Sequence, residues 1–199
     1  NQDGFRGLER VLNSPEGDFL AAPTSYERRR GGDAGCHISG YTASYRLHDK
    51  LYWDEVDTRT HLYPGYESYR VDDLTETLEV HRRAVGNALT RGTGLWWFLL
   101  AGNATFHHAA IMDDIARLKQ TCDAALTADR TPTSEVAVFA DEAGLNGLHA
   151  DHRVLTALLR DSLEATAHVG APCDIYHLSD ITSPALPDYR LYVFLNAFT

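Results

Sequence analysis

The stretch that decides the reading runs Leu47-His48-Asp49-Lys50-Leu51-Tyr52-Trp53-Asp54-Glu55-Val56-Asp57-Thr58-Arg59-Thr60-His61-Leu62. A short apolar run, Leu51-Tyr52-Trp53, opens into the acids Asp54, Glu55 and Asp57, with Arg59 and His61 close behind. Such a run predicts a buried strand of a parallel sheet, and the carboxyl end of a parallel strand faces the ligand crevice. A rigid strand can hold a carboxylate there against a sugar carbon. Retaining glycosidases need two carboxyls roughly 5 to 5.5 Å apart, one as nucleophile and one as acid/base. A cation such as Arg59 would favour the ionised form of a nucleophile beside it.

Two more apolar runs flank this one, at Asp18 to Ala22 and Gly94 to Leu100, and the three strand starts lie 30 to 45 residues apart. That is the spacing of β/α units. Between the second and third strands, Asp73 with Glu76 makes a helix N-cap, and Leu74, Leu78, His81, Val85 and Ala88 recur at helical spacing up to Arg91-Gly92. A further helix is expected from about His108, with Ile111, Ile115, Leu118, Cys122 and Ala125 as its apolar stripe. Thr42 to His48 has room for one helical turn, and Gly4 to Asn13 reads as a helix end stopped by Ser14-Pro15-Glu16-Gly17.

Ala128 to Thr133 reads as a linker containing Pro132. After it the pattern restarts: strands at Glu135 to Ala140, Cys173 to His177 and Leu191 to Leu195, and a helix over Asp151 to Val169 with Leu155, Leu158, Leu159 and Leu163 inward. That is an open, doubly wound layout.

The expected fold class is therefore α/β, with a first domain over 1–128 and a second over 134–199. A full barrel needs eight β/α units and roughly 250 residues. Three units fit only the C-terminal portion of a (β/α)8 TIM barrel. Neither end looks native, since the chain opens on Asn1-Gln2-Asp3 and breaks off after a strand-like run. The compartment stays open, with the cytoplasm favoured over secretion.

Composition narrows the partners. The 199 residues carry a formal charge of -10, and the one basic run, Arg28-Arg29-Arg30, is too short for a nucleic-acid face. No apolar run approaches the length of a membrane span. Cys36, Cys122 and Cys173 lie far apart and give neither a disulfide framework nor a zinc site. His107 and His108, adjacent in sequence, point apart and do not share a metal ion easily. No Gly-x-Ser/Cys-x-Gly elbow occurs, which disfavours an esterase or an active amidotransferase.

Leu47 to His61 resembles the seventh-strand region of glycoside hydrolase family 42, the β-galactosidases, and of their close relatives. There a Leu-His-Gly-Lys-like segment leads into a strand ending in Glu-x-Asp-x-Arg-Thr, where the Glu is the nucleophile. Carried over, the nucleophile falls on Glu55, followed by Asp57, Arg59 and Thr60, and Asp49 stands at the usual Gly. Asp18 to Tyr26 resembles the preceding barrel strand and its active-site loop, and Gly94-Leu95-Trp96-Trp97-Phe98 the last barrel strand. Ser134 to Glu142 and Asp188 to Phe198 resemble the family's trimerisation domain, amidotransferase-like in fold and without catalysis.

The resemblance implies a retaining β-glycosidase. Glu55 forms the glycosyl-enzyme, Asp57 and Arg59 hold and polarise it, and Tyr26, His61, Trp96 and Trp97 line the pocket. Tyr26, Arg28 and Tyr69 lie in loops on the same face, and Trp53 is expected in the core. No cofactor and no metal are needed. The implied partners are a glycoside or oligosaccharide substrate and, in the parent protein, a homotrimer. The chain departs from the family beyond Asp49, and it lacks the four-cysteine zinc cluster that some members carry. The acid/base Glu, which follows Asn at the end of the fourth strand, would lie before Asn1. Leu99-Leu100 also stand where many relatives carry a polar or acidic residue. The alternative is a non-catalytic carbohydrate-binding or assembly protein that kept the fold.

Overall fold

The structure is a computed structural model that describes residues 7–26, 29–32, 40–65, 70–99, 104–141, 144, 153 and 156–197. Arg28, Cys36, Tyr69, Leu100 and Leu155 lie outside the described residues. The chain divides into two compact units, one of residues 1–20, 40–51 and 133–199, the other of 21–39 and 52–132. The division at Pro132/Thr133 falls at the expected linker. Residues 1–20 and 40–51, counted in sequence with the first domain, group with 133–199.

Strands β1 (Phe19–Pro23), β2 (Leu51–Val56) and β3 (Gly94–Trp97) form a sheet in the order β1-β2-β3. β2 and β3 run parallel, with Trp53 opposite Gly94 and Glu55 opposite Trp96. Because the strands are parallel, the chain must cross over between them. It does so through α3 (Leu74–Arg91); α4 (Ala109–Ala125) follows β3, and the short α1 (Leu8–Leu12) precedes β1.

Helix α3 is capped at both ends as its sequence predicts. Asp73 Oδ1 accepts the Glu76 N–H at 2.8 Å, and Gly92 takes the left-handed conformation at φ 68° after Arg91. The second half of the capping box is shifted by one residue: Glu76 Oε2 accepts the Asp72 N–H at 2.7 Å. The buried stripe is Thr77, Val80, His81, Ala84, Val85 and Ala88, so Leu74 and Leu78 sit at its margin. Arg82 reaches α4 with Nη2 2.7 Å from Asp114 Oδ1. On α4 only Ile111 and Asp114 are buried, and Ile115, Leu118 and Cys122 are half-covered.

The strands of this sheet are not covered on both faces, as continuous apolar runs had suggested. β2 alternates: Tyr52, Asp54 and Val56 are buried, whereas Leu51 and Trp53 are 41% and 39% exposed. Phe19, the first residue of β1, is exposed too. Leu51 and Trp53, on one face of β2, are thus partly exposed. Trp53, expected in the core, is among them.

In the other unit, β4 (Val136–Ala140) lies between β5 (Cys173–His177) and β6 (Leu191–Phe194), all parallel. Ala137 to Ala140 are fully buried, as a central strand requires. Phe139 stacks on Tyr176 and Phe194 at 5.5 and 5.4 Å. Helix α2 (Thr42–Leu47) packs on β5: Ala43 joins the core with Ala137, Phe139 and Tyr176, and Ser44 Oγ accepts the His177 N–H at 2.7 Å. The expected long helix over 151–169 is described as a π turn over Thr156–Asp161 followed by α5 (Ser162–Ala167).

Between α2 and β2, Asp49 has φ 54°. This is the left-handed region, which glycine enters freely and Asp at some cost. Lys50 Nζ donates to Ser14 O at 2.8 Å and to Gly17 O at 2.6 Å, tying this turn to the residues before β1.

Candidate functional site

The acids of β2 divide by face. Side chains two apart on a strand share a side, so Trp53 and Glu55 lie on one face and Tyr52, Asp54 and Val56 on the other. Trp96, opposite Glu55, shares its face. Trp96 packs on Trp53, ring centroids 5.7 Å apart with planes inclined by 50°. Trp97 is on the other side, against His81 of α3 at 6.2 Å. The two adjacent tryptophans therefore separate: Trp96 stands beside Glu55, and Trp97 belongs to the helix-covered side.

Asp57 is the anchor of a buried polar cluster. Arg29 Nη1 lies 2.6 Å from Asp57 Oδ1, and Arg59 Nη1 lies 3.7 Å from Oδ2. Tyr26 Oη donates to Oδ2, and the Arg29 guanidinium stacks on the Tyr26 ring at 3.8 Å. Arg29 further donates to Ser25 O at 2.7 Å and to Thr24 O. Asp57, Arg29 and Arg59 are all nearly inaccessible to solvent. Burying charges is tolerable only when they are paired and hydrogen-bonded, and this cluster meets that condition.

Asp57, expected to hold Glu55, is thus held chiefly by Arg29, and Arg59 reaches Asp57 rather than Glu55. The cation that acts on Glu55 is Arg29. Burial raises the Glu55 pKa, the Asp57 charge raises it further, and Arg29 opposes both. Among the described residues the Glu55 carboxylate makes no hydrogen bond and no ion pair. It is half-buried and chemically uncommitted, whereas both its acidic neighbours are engaged.

Asp54 is engaged through Thr24. The Thr24 hydroxyl is 3.1 Å from Asp54 Oδ2 and 3.2 Å from Glu55 O, and the Thr24 N–H donates to Glu55 O at 2.9 Å. Thr24 therefore fixes the backbone of Glu55 and one oxygen of Asp54 together. Burial pushes the Asp54 carboxyl up to about 6, against the hydrogen bond from Thr24.

The rest of the Asp-Thr-Arg-Thr-His segment is architecture. The Thr60 hydroxyl donates to Thr105 O. Arg59 O accepts the Val71 N–H at 3.0 Å. His61 Nδ1 is 2.9 Å from Thr77 Oγ1, whose proton goes to Asp73 O, so Nδ1 is the donor. His61 is thereby held on the first turn of α3, with its ring against His108. Burial lowers its pKa, and His108 adds to the effect. Tyr26 is drawn to Asp57, so Glu55 and Trp96 are the expected site residues that share a strand-end face.

His108, weighed in sequence as a metal ligand, caps α4: its Nδ1 accepts the Ala110 N–H at 3.2 Å. Among the described residues no group of three His, Cys, Asp or Glu side chains could hold a metal ion. No described helix is long and apolar enough to cross a membrane. An open depression of about 490 Å3 is lined by Leu62, Pro64, Ala104, Thr105 and His107. Its lining carries no carboxylate, so it lacks the groups that glycoside hydrolysis requires.

Arg29, Thr24 and the exposed Trp53 escaped the sequence reading. A signal for Arg29 existed: three acids within four residues demand a buried cation, and Arg28-Arg29-Arg30 is a nearby source.

Comparison of the chain with protein-family models, with curated proteins and with solved structures gives no match.

Proposed function

We propose that this chain is the C-terminal portion of a (β/α)8 barrel from a retaining β-glycosidase, similar to the family 42 β-galactosidases, followed by the start of a trimerisation domain. Glu55 is the nucleophile. One observation carries the reading: at the carboxyl end of a parallel strand stands a carboxylate without partners among the described residues, while Asp54 and Asp57 beside it are bound.

The chemistry follows from two carboxyls. A Glu55 oxygen attacks the anomeric carbon, forming a C–O bond as the bond to the leaving group breaks. An acid/base Glu from a strand upstream of Asn1 protonates the departing oxygen, then takes a proton from the water that releases the sugar. Arg29 keeps Glu55 ionised against burial and the Asp57 charge. Trp96 lines the sugar site, and Tyr26 and His61 brace its walls. The unit that holds β4, β5 and β6 assembles three subunits and does no chemistry.

The test uses the full-length enzyme. Glu55→Ala should lose hydrolysis of an aryl β-galactoside, and azide should restore turnover with a glycosyl azide of inverted configuration. Hydrolysis at the wild-type rate would overturn the assignment. The second reading, a carbohydrate-binding or assembly protein without turnover, is favoured by the exposure of Phe98 and Leu99 directly after β3. It predicts sugar binding or trimers with no hydrolysis of any aryl glycoside.

A further inference from the structure

Among the described residues no side chain holds the Glu55 carboxylate, so its aim is set by the backbone beneath it. That backbone is gripped at one atom. The Glu55 carbonyl oxygen accepts the Thr24 N–H at 2.9 Å and the Asp57 N–H at 3.2 Å, and the Thr24 hydroxyl lies 3.2 Å from it. On the other side of the strand, the Val56 carbonyl accepts the Phe98 N–H at 3.0 Å. The peptide that carries Glu55 is therefore clamped between the residue after β1 and the residue after β3.

Thr24 supplies two of the three donors on the Glu55 carbonyl. Its hydroxyl also lies 3.1 Å from Asp54 Oδ2. Asp54 is buried and its other oxygen makes no hydrogen bond, so Thr24 is the donor that satisfies this acid. The Thr24 carbonyl accepts Arg29 Nη2, and the other arm of Arg29 is paired with Asp57. Thr24 thus joins all three strand-end acids, directly or through Arg29. Threonine suits the place, because β-branching leaves its hydroxyl few rotamers. The hydroxyl lies on the Asp54 side of β2, opposite the Glu55 side chain.

We propose that Thr24 is the positioning residue of the nucleophile, holding Glu55 at attack distance through its main chain and through Asp54 without touching the sugar. The proposal rests on the reading of Glu55 as the nucleophile. A displacement of about 1 Å at a reacting group costs on the order of 100-fold in rate. Without the Thr24 hydroxyl, buried Asp54 loses its donor and turns to Arg29, the cation that acts on it. Asp54 then competes with Asp57 for that guanidinium, and the end of β2 loosens.

The test times the first chemical step in the full-length protein, using a 2,4-dinitrophenyl 2-deoxy-2-fluoro-β-D-galactopyranoside that releases dinitrophenolate as the ester forms. Each rate is scaled to the folded fraction. Thr24→Val, which replaces the hydroxyl by a methyl, should form the ester about 10- to 100-fold more slowly at saturation, with the half-saturating concentration unchanged. Thr24→Ser keeps the hydroxyl and should react near the wild-type rate. Thr24→Ala, which sets no methyl against Asp54, takes the place of Thr24→Val if that variant does not fold. A wild-type rate without the hydroxyl, or a Thr24→Ser as slow as Thr24→Val, would overturn the proposal. A raised half-saturating concentration at an unchanged maximal rate would overturn it too, since Thr24 would then be a sugar contact. An ester mapped to a carboxylate other than Glu55 would instead remove the nucleophile reading, and the positioning role with it.

Discussion

Arg29 and Asp57, 28 residues apart in the chain, meet as a buried ion pair with Nη1 2.6 Å from Oδ1. This pair turns the end of β2 into a rigid rim. It neutralises the acid next to Glu55 and draws in the loop that follows β1, since Arg29 also holds Thr24 O and Ser25 O.

Removing Arg29 should therefore be costly. Arg29→Met leaves Asp57 with Arg59 at 3.7 Å and the Tyr26 hydroxyl. Breaking one side of a buried pair costs about 3 to 5 kcal/mol, and urea denaturation should show a loss of that order. Arg29→Lys keeps the charge but not the planar fork, and should fall between. Arg30 pairs with Asp72 and Glu76 nearer the surface, and Arg30→Ala should cost about 1 kcal/mol or less. Equal losses at the two positions would contradict the role given to the buried pair.

Two buried groups should make stability respond to pH in opposite senses. His81 is inaccessible to solvent, and burial between Trp97 and Phe106 lowers its pKa from 6.5 to about 4. The unfolded chain therefore binds the extra proton first as pH falls from 6.5 toward 4, and stability drops by about 3 kcal/mol over that window. Asp54 is raised from 3.8 to about 6, so the folded state holds its proton longer. Its effect runs the other way: stability drops by about 3 kcal/mol as pH rises from 3.8 toward 6. Between pH 4 and 6 the two effects offset. Asp54→Asn should leave a stability that climbs with pH, and His81→Phe one that declines, both measured by urea denaturation at successive pH values. Slopes of the same sign in both variants would refute the assignment.

The turn before β2 carries a small removable strain. Asp49 sits at φ 54°, a region that costs an L-residue about 1 to 2 kcal/mol and glycine almost nothing. Glycine's greater freedom in the unfolded chain takes back part of that gain. Asp49→Gly should raise stability by about 0.5 to 1 kcal/mol, read as a higher thermal midpoint. A lower midpoint would show that the Asp side chain contributes more than the backbone conformation costs.

What the sequence discloses divides along the range of the interactions involved. The parallel strands, the N-cap at Asp73 and the stop at Gly92 are written in local chemistry, and each was legible. The rotation of the α3 stripe toward Thr77, Val80 and Ala84 was not, because it depends on which side the sheet covers. Apolarity at Leu51 and Trp53 signals a strand but does not say whether anything lies on that face. Arg29 and the packing of α2 on β5 depend on partners 28 and more than a hundred residues away, beyond the reach of spacing rules. At the end of β2, the cluster Asp54, Glu55 and Asp57 was legible as a strand-end pattern, and the choice of Glu55 among them came from the resemblance. Their division into one uncommitted acid and two bound ones could not, because only geometry tells which carboxylate a guanidinium or a hydroxyl reaches.

Trapping the proposed glycosyl-enzyme would test the role of Glu55 without intermediaries. The full-length protein is incubated with 2,4-dinitrophenyl 2-deoxy-2-fluoro-β-D-galactopyranoside, whose leaving group needs no protonation and whose fluorine slows release of the sugar. If Glu55 is the nucleophile, one fluorogalactosyl group accumulates per active site, and peptide mass mapping places the ester on Glu55. A label on Asp54, on Asp57 or on any carboxylate other than Glu55, or no label while the substrate is hydrolysed, would contradict it.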